Sequence, residues 1–177
     1  RFQELVFVEP IEQLLYLAST QIDASRTMQN DDFVIDSLAS LAKKTGFVSQ
    51  NFSEATAQAL APLEPFAAYV ITQAIQRYGQ NERSLFSFLN ARGRNSLSEY
   101  EGKIYQLQCC YDYIYYNFYS YLKEANADSM QWSSMQVAIE RVEGQLWETK
   151  TDLVDAIKLV KAIGLLNLFG NASFKMS

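Results

Sequence analysis

Histidine is absent from the 177 residues of this chain, and its absence excludes a large part of enzyme chemistry. Without an imidazole there is no Ser-His or Cys-His pair, no histidine general base and no histidine metal ligand. Cysteine is nearly absent too, since the only two, Cys109 and Cys110, are adjacent. Two thiols are too few for a zinc site, and neighbouring cysteines rarely close a strained disulfide. We therefore expect both to stay reduced, as small core residues of a cytoplasmic protein.

Several other features are scarce or missing. Glycine and proline number only 7 and 3, and no uninterrupted apolar run is long enough to span a bilayer. No glycine is followed at the right spacing by Gly-Lys-Ser or Gly-Lys-Thr, so a phosphate-binding loop of the Walker type is absent. The net charge of −5 argues against a nucleic-acid-binding surface, which needs a basic face. These absences exclude a self-contained P-loop hydrolase and disfavour membranes and nucleic acids as partners.

What remains is a helical pattern. Apolar residues make up 49% of the chain and charged residues 20%, a balance typical of folded globular proteins. Apolar positions recur every three or four residues in about eight segments, which predicts an all-α fold, an irregular multi-helix bundle of about eight helices. Only residues 4–8 show strand-like alternation. The residues suited to helix starts are Pro10, Asp31 or Asp32, Ser53, Pro65, Ser129 and Thr151.

Two of the predicted helices stand out, and both lie in the second half of the chain. The longest is expected over residues 103–124, with a row of apolar side chains on one face. Residues 151–169 become apolar on nearly every side toward their end, so this helix is expected to be the most deeply buried or to dock against something outside the chain. We divide the chain into an N-terminal helical part, residues 1–95, and a C-terminal helical part, residues 96–177, built around the long tyrosine-rich helix.

Tyrosines crowd residues 100–121. Tyr113, Tyr115, Tyr116 and Tyr119 fall on faces other than the apolar row, and three interpretations stay open. The helix is central, with tyrosine hydroxyls reaching the rim of the core. It presents a partner-binding face, because tyrosine is enriched at interfaces. Or it stacks nucleic-acid bases, which the acidic surroundings disfavour. The four tyrosines are our candidate partner-interface residues.

Arg83 is the candidate for an anion contact. It follows a short polar turn and opens an apolar helix, where a cation opposes the helix dipole; such small conflicts sometimes mark function. The alternative is that Arg83 is exposed to solvent and has no functional contact. Arg77, Arg92 and Arg94 are the candidates for a basic patch around it. The acidic pairs of the chain, such as Glu99 and Glu101, are interpreted as solvated charge, so neither a catalytic residue nor a metal ligand is predicted.

Three segments carry a family resemblance: residues 62–89 around PLEP and GQNERSLFSFL, residues 111–122 around YDY and NFYSYL, and residues 159–170, LVKAIGLLNLFG. Together they resemble the helical region downstream of the nucleotide-binding core in large bacterial P-loop ATPases, of the AAA+ or STAND-like, origin-recognition-related kind. The resemblance covers about residues 60–170. It implies lid helices within residues 1–95, a nucleotide-sensing role for Arg83, and ATP and Mg²⁺ bound by a core domain outside this chain.

We therefore expect a non-catalytic helical lid or linker fragment of a multidomain bacterial ATPase, which couples the nucleotide state to a downstream domain. Its partners would be the nucleotide-binding core and the effector domain of the same polypeptide. The chain opens on Arg1 rather than methionine, as we expect of a piece of a longer protein. The alternative is a free-standing helical adaptor that binds a protein partner through its aromatic helix faces. In either case no activity is expected from this chain alone.

Overall fold

The computed structural model describes residues 10–22, 32–79, 82–90, 93–124 and 127–170. These residues form nine α-helices and one 3-10 turn, and within them the only β-type contact is an isolated bridge between Leu63 and Tyr105. The all-α prediction is confirmed. Residues 4–8, with their strand-like alternation, lie outside the described residues. The helices are α1 (Ile11–Gln21), α2 (Asp32–Lys44), α3 (Glu54–Ala59), α4 (Pro65–Tyr78), α5 (Glu82–Asn90), α6 (Leu107–Asn117), α7 (Tyr119–Lys123), α8 (Ser129–Glu143) and α9 (Lys150–Phe169), with the 3-10 turn at Leu97–Glu99.

The centre of the bundle is α4. Ten of its 14 residues are buried, and it packs against α1, α2, α5, α6 and α9. Small side chains at Ala67, Ala68 and Ala74 allow neighbouring helices to approach closely. The expectation that the last helix is the most deeply buried is wrong, because α9 fully buries only Leu165 and Phe169. Its alternative, docking against something outside the chain, stays a prediction.

Helix ends follow local chemistry, and most of them match the predicted signals. Ser53 caps α3 by accepting a hydrogen bond from the Thr56 amide at 3.0 Å. Gly46, after the end of α2, has the positive φ of 69° that glycine adopts without strain. The start of α9 differs slightly from the prediction, because Thr149 and Asp152 form a capping box that begins the helix at Lys150.

The predicted single helix over residues 103–124 is wrong. The chain instead forms α6 and α7, with a break at Phe118 (φ −114°, ψ 17°), and α9 with 20 residues is the longest described helix. The helix α6 begins later than predicted because Tyr105, just before it, is hydrogen-bonded to backbone groups that are distant in sequence. The Tyr105 amide donates to the Pro62 carbonyl at 2.7 Å, and its carbonyl accepts from the Glu64 amide at 3.2 Å. These bonds hold Tyr105 extended and use the groups that a helix needs.

One cluster of buried side chains runs from α1 to α9 and includes residues from both predicted parts of the chain. Within it Phe88 makes edge contacts with Tyr105 and Tyr113, at ring-centroid distances of 5.5 and 4.7 Å. Such aromatic pairs add about 0.5–1.5 kcal/mol beyond the area they bury. The boundary at residue 95 stays a prediction. Among the described helices, none has the length and apolarity needed to cross a membrane.

Candidate interaction surfaces

Arg83 lies in the first turn of α5, and its side chain is exposed. The Ser87 hydroxyl donates to the backbone carbonyl of Arg83 at 2.9 Å. Within the described part of the chain no ion pair links Arg83 to a carboxylate. Arg83 is exposed at the positive end of a helix dipole, where a cation gains no stabilisation from the dipole. Its guanidinium is therefore available to an anion from outside.

Arg77 is placed differently, in a polar network at the end of α4. Its guanidinium pairs with the Asp128 carboxylate at 3.1 Å and lies 4.9 Å from the centre of the Phe169 ring. Asp128 also accepts from the Tyr78 hydroxyl at 2.7 Å, and Trp132 donates to the same hydroxyl at 3.2 Å. Burial raises the pKa of Tyr78, so the hydroxyl stays a donor. Arg77 thus joins α4 to the start of α8, and its charge is matched there.

The other two arginines of the predicted basic patch also separate. Arg94 lies over the Tyr116 ring, with its guanidinium carbon 4.0 Å from the ring centre. The Asn117 side-chain amide donates to the Arg94 carbonyl at 3.2 Å and to the Tyr113 carbonyl at 2.8 Å, which fastens this loop to α6. Arg92 lies outside the described residues. The two described arginines of the predicted patch therefore have different partners: Arg77 pairs with a carboxylate, and Arg94 lies over an aromatic ring.

The four candidate tyrosines divide into one core residue and three rim residues. Tyr113 is buried beside Phe88, and burial raises its pKa to about 12. It offers no surface to a partner. Tyr115 is half-buried, while Tyr116 and Tyr119 are exposed. Tyr115 contacts both neighbours edge-on, at centroid distances of 6.0 and 5.4 Å.

A cation lies at each end of this aromatic row. Arg94 covers Tyr116, and the Lys123 ammonium lies 4.7 Å from the centre of the Tyr119 ring. We call Arg94, Tyr116, Tyr115, Tyr119 and Lys123 the tyrosine ladder. Sequence analysis did not identify Lys123 as a candidate, although it lies four residues after Tyr119 on the same helix, a spacing at which side chains interact.

The outer face of α9 exposes two large apolar side chains. Leu159 is 61% exposed and Ile163, one turn later, is 42% exposed. On the opposite side Gly164 lies against the buried side chain of Met135 on α8. Lys161 adds an ion pair with Asp112 on α6 at 2.7 Å. The helix is thus held firmly while two large aliphatic side chains face water.

Two half-open cavities lie on the surface of the described residues. One, of about 330 Å³, is lined largely by apolar side chains of α1, of α4 and of the segment between α2 and α3, with Thr56 of α3 beside them. The other, of about 280 Å³, is polar and contains Arg94, Glu99, Tyr100, Cys109 and Asp112. Burial raises the pKa of the Cys109 thiol, which makes it a poor nucleophile. Within the described ranges no three potential ligands of a metal ion come together.

Sequence analysis made no prediction about the burial of Glu64, the residue that precedes α4. Its position before Pro65 predicts a helix start, yet the side chain is only 8% exposed. The carboxylate accepts a hydrogen bond from the Leu107 amide, the first of α6. Burial raises the pKa of Glu64 to about 7, against the lowering effect of that hydrogen bond. No local pattern reveals this burial, since the residues that cover Glu64 come from another part of the chain.

No protein-family model, no curated protein and no solved structure matches this chain.

Proposed function

We propose that this chain is a non-catalytic helical lid or linker module that docks the next domain of a longer polypeptide against the outer face of α9. The observation that carries the proposal is the exposure of Leu159 and Ile163, one turn apart on a well-anchored helix. Each aliphatic side chain of this size gains about 1.5–3 kcal/mol when it is fully buried. A face of this kind binds best when it is already rigid, because little ordering entropy is then lost.

The rigidity of α9 supports this role. Its N-terminus carries the capping box of Thr149 and Asp152, its middle is tied to α6 through Lys161, and Gly164 seats it against Met135 on α8. A helix tied to two neighbouring helices transmits a displacement as a rigid body. Movement of α6 or α8 would therefore reach whatever is docked on the outer face.

Replacing Leu159 and Ile163 by glutamine together tests the docking role. In residues 1–177 alone, the free energy of unfolding should change by less than about 1 kcal/mol, because both side chains face water. In the full-length polypeptide the same double change should cost about 2 kcal/mol more, because docked apolar contacts are lost. Denaturant unfolding followed by circular dichroism measures both values.

The matched control replaces two exposed apolar residues of α8, Met130 and Val137, by glutamine. This control should have the same small effect in both lengths of the protein. An equal effect of the α9 double variant in both lengths would contradict docking on this face.

The setting we propose is a multidomain ATPase of the bacterial cytoplasm, with ATP and Mg²⁺ held by its core domain. The exposed guanidinium of Arg83 supports this setting, because it is free of carboxylate partners within the described residues. A cation of this kind stabilises the charge that develops on a transferred phosphoryl group.

Arg83→Ala in the intact ATPase is expected to slow ATP hydrolysis by about 100-fold, the usual order for loss of one charge-stabilising donor. The stability should change by less than about 0.5 kcal/mol, since the side chain is exposed. Steady-state phosphate release and thermal melting provide the two readouts. Arg141→Ala, a change at an exposed arginine of α8, is the control. Unchanged hydrolysis in the Arg83 variant would remove the sensor role.

The second candidate is a free-standing adaptor, and the exposed rings of Tyr116 and Tyr119 favour it. Light scattering across a range of protein concentrations separates the two candidates. A stable self-associated species favours the adaptor, whereas a monomer at every concentration leaves the lid or linker module as the better proposal.

A further inference from the structure

The tyrosine ladder is a surface distinct from α9 and Arg83, and its charge arrangement is unusual for this acidic chain. Its five members follow one another in contact, as cation, ring, ring, ring and cation. The rings therefore form a continuous aromatic strip with positive charge at both ends. Neither Lys123 nor Arg94 takes part in an ion pair with a carboxylate among the described residues, although Arg77, Lys158 and Lys161 do.

The strip is also held in position before any partner arrives. The Gln136 side chain on α8 donates to the Tyr115 hydroxyl, which fixes the middle ring. Asn117 holds the backbone of Arg94 against α6 through the two hydrogen bonds described above. Tyrosines provide large contact area at a low cost in side-chain entropy, and their hydroxyls donate to carboxylates and peptide carbonyls.

The charges around the strip decide which class of anion it fits. Glu99 lines the same polar cavity as Arg94, and its side chain is exposed. This carboxylate repels a uniformly charged strand such as single-stranded nucleic acid, whose binding needs a continuous positive groove. A peptide with separated carboxylates can place negative charge at the two cations and its uncharged residues on the rings. The two kinds of partner are thus distinguished by charge spacing.

From this geometry we infer that the tyrosine ladder binds an acidic, extended peptide segment of a partner protein. Carboxylates of the segment contact Arg94 and Lys123, and its backbone lies across Tyr116, Tyr115 and Tyr119. This interaction uses α6, α7 and the loop before them, so it holds whether α9 docks a neighbouring domain or not.

The test uses the full 177-residue chain and a ten-residue probe peptide in which glutamate alternates with serine. Isothermal titration calorimetry should show binding that weakens as salt is added, because exposed charge pairs are screened. The NMR signals of Tyr116, Tyr119 and Lys123 should shift during the titration. A peptide with glutamine at every glutamate position should bind at least about fivefold more weakly, from the loss of two surface charge contacts.

Variants locate the site. Arg94→Gln with Lys123→Gln should weaken binding of the glutamate peptide at least about fivefold, and Tyr116→Ser with Tyr119→Ser should weaken it to a similar extent. The matched control, Lys44→Gln with Arg141→Gln, removes two exposed cations elsewhere and should leave the affinity within about twofold. Circular dichroism verifies that each variant is folded.

Three outcomes would overturn the inference. They are equal affinity for the glutamate and glutamine peptides, an equal loss in the control pair and the ladder pair, and tighter binding of a ten-nucleotide oligothymidine than of the glutamate peptide.

Discussion

Replacing Phe88 by alanine is expected to lower the free energy of unfolding by about 3–5 kcal/mol, the usual cost of deleting a fully buried phenylalanine ring. Phe88 is 0% exposed and makes edge contacts with Tyr105 and Tyr113. Its ring therefore connects α5 with α6 and with the extended residues before α6. The change leaves a cavity that these neighbours, themselves buried, have little room to fill.

Urea unfolding followed by far-ultraviolet circular dichroism measures this loss. Phe33→Ala is the matched control, because Phe33 is 79% exposed on α2 and its removal should cost less than about 0.5 kcal/mol. A typical domain has only about 5–15 kcal/mol of stability, so the Phe88 variant could lose a large share of its folded population. Similar losses in the two variants would mean that Phe88 does not lie in the core.

The second large effect concerns pH and Glu64. Burial raises the pKa of this carboxyl from the ordinary value of 4.5 to about 7 in the folded chain. The folded state therefore holds the proton more tightly than the unfolded state, and the stabilisation is fully present below pH 4.5. It is lost progressively as pH rises from 4.5 through 7. At about 1.4 kcal/mol for each pH unit, the full loss is about 3 kcal/mol.

The composition makes this effect easy to isolate. With no histidine in the chain, the side chain that most often titrates between pH 5 and 8 is missing. Glu64→Gln keeps a carbonyl oxygen that can accept from the Leu107 amide but carries no ionisable proton. The free energy of unfolding of the variant should therefore not fall between pH 4.5 and 8 as that of the wild type does. Relative to the wild type, the variant should be more stable at pH 8 than at pH 4.5.

Unfolding free energies measured at half-unit intervals from pH 4.5 to 8 provide the comparison. Glu54→Gln, at the exposed start of α3, is the control and should follow the wild-type profile. If the curves of the wild type and the Glu64 variant run parallel, the carboxyl does not titrate in this window and its burial has been misjudged.

Helix positions could be predicted wherever their signals are local. Ser53 caps α3 through an amide three residues away, and Pro65 opens α4 because its missing N–H has no intrahelical partner. The failure at residues 103–124 has the opposite origin. Apolar spacing continues through this stretch, but Tyr105 is held extended by the backbone of Pro62 and Glu64, about 40 residues earlier. The spacing of apolar residues cannot reveal hydrogen bonds to a segment so distant along the chain.

The candidate site was predicted less well than the fold, for a related reason. Tyr113 and Tyr116 are three residues apart on α6, and both were predicted as candidate partner-interface residues. Only packing against Phe88 distinguishes the buried one from the exposed one. Arg77 and Arg83 were grouped in one patch, yet one is neutralised by Asp128 on another segment and the other faces water.

The sequence by itself determined the all-α class, the chemistry excluded by missing histidine and most helix starts, because these depend on composition and on residues a few positions apart. The tertiary structure alone decided that Glu64 is buried, that α9 exposes Leu159 and Ile163, and that two cations bracket the tyrosine ladder. The physical reason is that burial and charge pairing depend on which segments meet in space. These tertiary contacts join residues that are too far apart in the chain for any local sequence pattern to predict.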